Sequence, residues 1–361
     1  MKRIKNAFGK EITLKTGAAL QEEMRSIAAN DKRLAVNADD LSNGRSSILF
    51  KRYLENEGVT LKDAIRAFGY NQIGLENVRS LYSNDNTKPL FNTIVEDGIR
   101  IGYAKQGRAS QLIAKTVGID QQTYQWYYID DPDKDELDFS KVGQAAPIPT
   151  AIIKIDGSHT IQVFKRGAGV EIADEAKSMN IDLLALHVQL RGQRMARTDE
   201  YRAIDRLLNG YFSDGTDAAP TIGVKTANTL KLTDAWYASQ YMQEEFGFTP
   251  KLAIMNLKTA EAWAEQKEDS GNFVFLSQLT SGKVPEFINA SPFVSSQVPD
   301  NRIILVDTDY ALINYQFKPL SVESQRNVKT QVEGSYATVT DDYVPFQKNA
   351  RLIITLDQAR S

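Results

Sequence analysis

The 361-residue sequence has no cysteine, which excludes disulfides, thiol nucleophiles and every zinc or iron–sulfur site built on thiolates. Histidine is nearly absent too. His159 and His187 are the only two, and a metal site would need them to meet in space with carboxylates. They read instead as one loop histidine and one helix histidine, so neither metal nor cofactor is expected. An excess of charge of either sign is also missing: 43 Lys and Arg stand against 46 Asp and Glu, a formal net charge of -3. A surface that grips nucleic acid throughout needs a large cationic excess, so any contact with DNA must be local. No apolar run reaches membrane-spanning length, and no membrane partner is expected. Residues 1–15 carry Lys2, Arg3, Lys5, Lys10 and Lys15 but no apolar stretch of signal-peptide type.

Catalytic patterns are missing as well. Neither GxGxxG nor GxxxxGK[ST] occurs, and the glycine-rich Lys165-Arg166-Gly167-Ala168-Gly169 stretch reads as a strand-to-helix hinge. There is no GxSxG. Glu244 with Glu245 and Asp341 with Asp342 are sequence neighbours that do not converge on one point, so they read as solvated faces rather than an acid and its base. The acidic run 130–138, DDPDKDELD, resembles a calcium loop superficially. It carries Glu136 where such a loop needs glycine and Val142 where it needs glutamate, and reads as a solvated loop tip. No enzyme activity is expected.

What is present is an ordinary globular composition, 42% hydrophobic and 25% charged, with length for two or three compact lobes. The first 90 residues hold short polar helices over 16–29, 44–57 and 60–68, none long enough for a core of its own, so something outside the segment, such as a neighbouring subunit, should hold it. The small basic cluster of residues 2–15 is either a solvated arm or a contact for DNA or an acidic neighbour. Strands follow over 118–169: an aromatic run of Tyr124, Trp126, Tyr127 and Tyr128, then 150–155 and 160–165 joined at Asp156-Gly157, a pair suited to a tight hairpin turn. Amphipathic strands packing on a neighbour suit that aromatic run better than base stacking, because Asp120, Asp130 and Asp131 would repel phosphates.

Residues 174–210 read as helix, divided near Asn180, with Ile172, Ala176, Met179, Leu183, Leu186 and Leu190 as the packing stripe. The longer piece, 181–209, spans about 44 Å at 1.5 Å per residue. A helix over 233–246, a strand over 251–255, Asn256 as a cap and a helix over 257–266 make an α/β lobe. Strands dominate thereafter: 302–306, 310–317, 320–331, 336–340 and 351–356. The fold class is α+β, with no βαβ repeat for a doubly wound sheet.

In this order the pieces resemble the major capsid proteins of tailed phages with the Hong Kong 97-type fold. The stretches that carry the resemblance are Val163-Phe164-Lys165-Arg166-Gly167 leading into residues 170–175, and a helix ending over 205–210 before Asp214-Gly215. In the lobe they are Lys251 to Asn256 with Gly271-Asn272-Phe273, and Gly282-Lys283-Val284-Pro285 followed by residues 302–307. The resemblance covers roughly residues 87–356, and its warrant is the order of the motifs. It implies an N-terminal arm and helical segment (1–117), an extended β-hairpin loop (118–169), a spine helix and peripheral domain (170–225), an axial domain (226–318) and peripheral return strands (319–361). It further implies a protein that self-assembles through pentamers and hexamers into the icosahedral shell of a virion, built in the host cytoplasm. The implied partners are a portal protein, a separate scaffolding or decoration protein, and packaged double-stranded DNA touched weakly and non-specifically on the inner face. Tyr124, Trp126, Tyr127, Tyr128, Lys154 and Arg166 are the expected subunit-interface residues. Should a Lys-to-Asn cross-link form, Lys134, Lys141 or Lys154 and Asn349 are its candidates, though such a bond needs a buried, neutral lysine. The alternatives are an encapsulin-like compartment loading protein cargo and, in a different class, a soluble α+β enzyme.

Overall fold

The computed structural model describes residues 4–5, 11–30, 47–67, 88–126, 159–173, 181–268, 271–327 and 332–360. In chain order the elements are β1 (Ile4–Lys5), β2 (Glu11–Ile12), α1 (Gly17–Asn30), α2 (Ser47–Glu57), α3 (Leu61–Ala67), α4 (Lys88–Gln106), β3 (Lys115–Gly118), β4 (Thr123–Gln125), β5 (Thr160–Gln162) and β6 (Phe164–Ala173). They continue with α5 (Ile181–Asn209), β7 (Thr221–Val224), α6 (Leu232–Phe246), β8 (Leu252–Met255), α7 (Leu257–Ala264), α8 (Leu276–Thr280), β9 (Ser291–Val294), β10 (Arg302–Val306), β11 (Leu312–Asn327), β12 (Val332–Pro345) and β13 (Arg351–Ala359). Two compact units share the chain: Met1–Arg108 with Lys165–Glu200 and Lys318–Thr340, and Ala109–Phe164 with Tyr201–Phe317 and Asp341–Ser361.

The first unit gives the N-terminal segment a core, contrary to the expectation that it lacks one. Leu20, Met24 and Ile27 line one face of α1 at helical spacing. Leu49, Phe50, Tyr53 and Leu54 of α2, Ala64 and Ile65 of α3, and Leu90, Ile94, Val95 and Ile99 of α4 close on them, with Val188 of α5 and Ala337 of β12 completing the cluster. Each helix alone is too short and polar. Four of them with one stripe apiece suffice.

The 19-residue α4 is absent from the sequence expectations because Gly98 and Gly102 interrupt its pattern. Both glycines exist for packing: a Cβ on Gly98 would lie 2.8 Å from Val188 Cγ1, and one on Gly102 would collide with the backbone of Gln189. Gly192 of α5 approaches the backbone of Ile99 in the same way. The two helices therefore meet main chain to main chain, at a separation larger residues would not allow.

The span of α5 matches the expected 181–209, but its buried face does not. Leu186 and Leu190, assigned to the packing stripe, are 54% and 46% exposed. The buried positions are Val188, Gly192, Ala196 and Glu200, then Ala203, Ile204 and Leu207. Close packing against α4 selects the small residues of this helix, and the leucines are turned out. The expected short helix before Asn180 lies outside the described residues.

The Lys165–Gly169 stretch is strand, not hinge: it lies inside β6. A Cβ on Gly167 would sit 2.8 Å from the Ala337 carbonyl oxygen, and one on Gly169 would press into the Tyr336 ring. The glycines make room for β12.

The second unit is organised around a five-stranded sheet in the order β7-β13-β10-β8-β9. β10 pairs antiparallel with both β13 and β8, while β7 and β9 run parallel to their neighbours at the two edges. Alternate residues serve opposite faces. Ala253, Met255, Ile303, Leu305, Leu352 and Ile354 meet α6 and α7 through Ala235, Ala238, Met242 and Trp263. Ile254, Ile304, Val306 and Ile353 meet Ala203, Ile204 and Leu207 of α5. The final strand, expected among the peripheral return strands, is thus a central strand of the α/β lobe. Its run of apolar residues, buried from Arg351 to Leu356, is what a strand covered on both faces requires. β8, the Asn256 cap and α7 agree with expectation; Asn256 Oδ1 accepts from the Thr259 amide at 2.7 Å.

Candidate subunit-contact surfaces

The root of the expected extended loop is well built. β4 pairs antiparallel with β5, with Tyr124 opposite Ile161, and the pairing is extended at both ends by Trp126 N–H to the His159 carbonyl (3.0 Å) and Val163 N–H to the Gln122 carbonyl (2.9 Å). Residues 127–158 lie outside the described residues. So do Tyr127, Tyr128 and Lys154, the Asp156-Gly157 turn, the acidic run and the three cross-link lysines.

Trp126 is only 2% exposed, in a cluster with Ile119, Ile161, Val163 and Val344, its ring 4.9 Å from that of Phe212. Within the subunit the indole packs on its own chain. Tyr124 is 38% exposed and tilts against Tyr315 at 5.6 Å. Burial pushes the Tyr315 hydroxyl pKa up. Arg166 belongs to the first unit, where its Nη1 lies 3.3 Å from Asp199 Oδ1. Asp199 also accepts from Tyr103 Oη at 2.8 Å, and burial raises its pKa.

Below the root, His159 Nε2 lies 2.7 Å from Asp214 Oδ2, and its ring packs on Phe212 at 4.7 Å. Asp214 also accepts from the Thr216 amide. The histidine contact, then that amide, hold its pKa down at about 2. The turn that carries Asp214 begins at Gly210, whose φ of 79° ends α5 in the left-handed region. Asp217 then accepts from the amides of Tyr211 (2.6 Å) and Phe212 (3.1 Å). This accounts for the motif of a spine end followed by Asp-Gly. Gly215 repeats the left-handed φ.

Asp341 and Asp342, read as solvated, are buried. Asp342 takes Arg202 Nη2 at 2.6 Å and Arg206 Nη2 at 3.3 Å, two arginines one turn apart on α5. Burial lowers the Arg202 pKa, and Asp342 opposes that shift. Among the described residues no group of three or more His, Asp and Glu could hold a metal ion, and no helix is long and apolar enough to cross a membrane.

One surface of the second unit was missed by sequence reading. α8 has no buried residue. Phe275 anchors the segment, packing on the buried Trp263 at 5.2 Å, and Val274 N–H bonds the Gln266 carbonyl at 3.0 Å. Around Phe275, Phe273, Val274, Leu276, Leu279 and Val284 are each between 38% and 56% exposed. Such a concentration of exposed apolar side chains in so short a stretch makes this a candidate contact surface. The signal was available as the run Phe-Val-Phe-Leu between polar loops.

A five-stranded sheet packed on the end of a long helix, with a β-hairpin root beside that helix's end, defines the class: these are parts of a Hong Kong 97-type shell protein. The sequence pattern of the phage capsid protein family matches residues 157–349, more than half of the chain, and the chain belongs to that family. The fold is similar to that of a capsid from a native GTA particle, at 16% identity and a TM-score of 0.54, covering 72% of this chain and 91% of that one. It is also similar to a virus-like particle from Pyrococcus furiosus, at 12% identity and a TM-score of 0.50, covering 72% and 98%. A phage-related protein from Bordetella bronchiseptica RB50 is similar at 11% identity and a TM-score of 0.50, covering 73% and 95%. No curated protein sequence matches.

Proposed function

We propose that this capsid protein is the major shell subunit of a tailed-phage head, assembling in the host cytoplasm as pentamers and hexamers into an icosahedral virion shell that encloses double-stranded DNA. The observation that carries the assembly is the apolar segment at residues 273–284, which exposes five large apolar side chains around a helix that buries none. Two or more copies meeting there would remove that surface from water, at about 25 cal/mol per Å². The lobe built on the five-stranded sheet, β13 included, is the axial part of the subunit. The extended loop rooted at β4 and β5 reaches a neighbouring copy, with Tyr124 at its base. A portal protein and a separate scaffolding or decoration protein complete the head.

Electron microscopy and light scattering after expression test the reading, with and without a co-expressed scaffold. Closed shells of uniform size containing nuclease-protected duplex DNA are expected in infected cells. Monomers of 40.4 kDa under every assembly condition would overturn it, and shells filled with a protein cargo in place of DNA would make the chain an encapsulin-like compartment.

A further inference from the structure

The exposed faces of α4 and α5 in the first unit separate their charges in an unusual way. Between residues 185 and 198 of α5 there are three arginines and no acid; from residue 98 to the end of α4 and on to residue 108 there are Arg100, Lys105 and Arg108 and no acid. Among the described residues the nearest carboxylates on both helices are paired, Asp97, about a third exposed, with Lys51. Glu200, 3% exposed, takes both Nε and Nη2 of Arg108. Glu96, 2% exposed, takes Arg100 and Lys51. Asp199 is held by Tyr103 and Arg166.

Four cations remain outside and, among the described residues, pair with no carboxylate. Arg191, Arg194 and Arg197 are all exposed. They recur every third residue, which keeps them on one side of α5 and spreads them over about 9 Å of axis. Lys105 is exposed on α4, and among the described residues its Nζ bonds a neutral amide, Gln189 Oε1 at 3.3 Å. Arg197 Nε likewise bonds Gln106 Oε1 at 3.1 Å. These two amide contacts cross between the helices in opposite directions and hold the cations over the seam without neutralising them.

The geometry points to this four-cation band, Lys105, Arg191, Arg194 and Arg197, as the surface that touches the phosphate backbone of the enclosed duplex DNA. The inference rests on the shell reading and names the residues of its inner face. A polyanion is the chemistry that completes a face with cations and no acids. A duplex presents one negative charge per about 1.7 Å of axis, dense enough to meet all four. The contact carries no sequence information, because guanidinium and ammonium groups on phosphates position a duplex without reading it. It suits a chain of net charge -3, which holds its DNA by one local band.

The test uses the full chain and a labelled mixed-sequence duplex, titrated between about 50 and 200 mM salt. Four phosphate contacts give a slope of log affinity against log salt near -3.6, hence a loss on the order of a hundred-fold over that range. Changing Arg191, Arg194 and Arg197 together to Gln should weaken binding at low salt and flatten the slope by about 0.9 per arginine. The matching Arg-to-Lys triple keeps the charge and should bind like the natural chain. A Lys225→Gln, Lys231→Gln variant in the other unit should change nothing. Unchanged affinity and slope in the Gln triple overturn the proposal. So does a polyglutamate peptide that competes as well as duplex at equal charge, which would assign the band to an acidic protein partner. Light scattering on the same samples separates the two claims. Shells that form but bind duplex independently of the arginines remove the band and leave the shell, whereas arginine-dependent binding by a chain that never assembles keeps the band and removes the shell.

Discussion

Arg351 reaches from β13 to the end of α5 and bonds the main chain of Arg206: its Nη1 donates to the Arg206 carbonyl at 2.5 Å and to the Leu207 carbonyl at 2.9 Å, while Nη2 donates to the carbonyl of Asp217. The last carbonyls of a helix have no intrahelical donors. Here the fork supplies the Leu207 carbonyl, adds a second donor to that of Arg206, which also accepts from the Gly210 amide at 3.0 Å, and ties the following turn. The side chain is fully buried, and burial lowers its pKa to about 10, so it remains cationic at neutral pH. Arg351→Met removes the side-chain donor of the Leu207 and Asp217 carbonyls and is expected to cost about 3–5 kcal/mol by urea unfolding. Arg351→Lys should recover little, because an ammonium does not present the planar fork. A loss below about 1 kcal/mol would mean that water replaces the guanidinium.

Gly192→Ala sets two effects of opposite sign against each other. Alanine in a helix interior gains about 1 kcal/mol over glycine. The new Cβ would meet the carbonyl of Ile99, a backbone group that cannot swing aside as a side-chain end can. Overpacking of this kind costs about 1–3 kcal/mol, so the clash wins and thermal unfolding should move down. Gly102→Ala should behave alike. A rise in melting temperature for either would show that the helix pair separates freely.

Local chemistry was legible where one residue decides the outcome. Asn256 announced the start of α7 because a side-chain oxygen at an N-cap satisfies an otherwise orphaned amide. The length of α5 was legible for the same reason, since Gly210 ends it. Its orientation was not: the stripe through Leu186 and Leu190 is the more hydrophobic one, yet the tertiary fit to Gly98 and Gly102 selects the face with Gly192 and Ala196. The packing of Trp126 within the subunit was not legible, because an aromatic run on a strand gives no sign of what lies beneath it. Its neighbour Phe212 is 86 positions away. The apolar surface at 273–284 escaped because its residues have the composition of a core segment, and only their exposure in the fold distinguishes them.

The His159–Asp214 contact makes the loop root sensitive to acid. Asp214 has a folded pKa of about 2 against an ordinary 3.8. A depressed carboxyl pKa contributes stability that is fully present above the ordinary value and is lost as pH falls through the folded one. The group is exposed, so the effect is local. Hydrogen exchange at the Trp126 and Val163 amides, which close the β4–β5 ladder, should become faster relative to the intrinsic rate between pH 4 and pH 2. Asp214→Asn should raise their exchange at neutral pH and remove most of that acid dependence. Equal protection in both proteins at neutral pH would separate the His159–Asp214 contact from the root.

Leu276→Asp with Leu279→Asp distinguishes a surface built for another copy from one that serves the chain itself. Neither leucine is buried in the subunit, so the variant should retain its melting temperature to within about 0.5 kcal/mol of stability, as exposed substitutions do. Assembly should respond quite differently. Around a rotational axis every subunit presents the same segment, so each capsomer gathers as many new carboxylate pairs as it has subunits. Bringing like charges together in a desolvated contact costs several kcal/mol. Light scattering should therefore show soluble, folded subunits that form no shells. Phe275→Ala removes the ring that packs on Trp263 and should lower stability and assembly together, because it acts through the fold. Normal shells from the double aspartate variant would place the contact between copies elsewhere on the subunit.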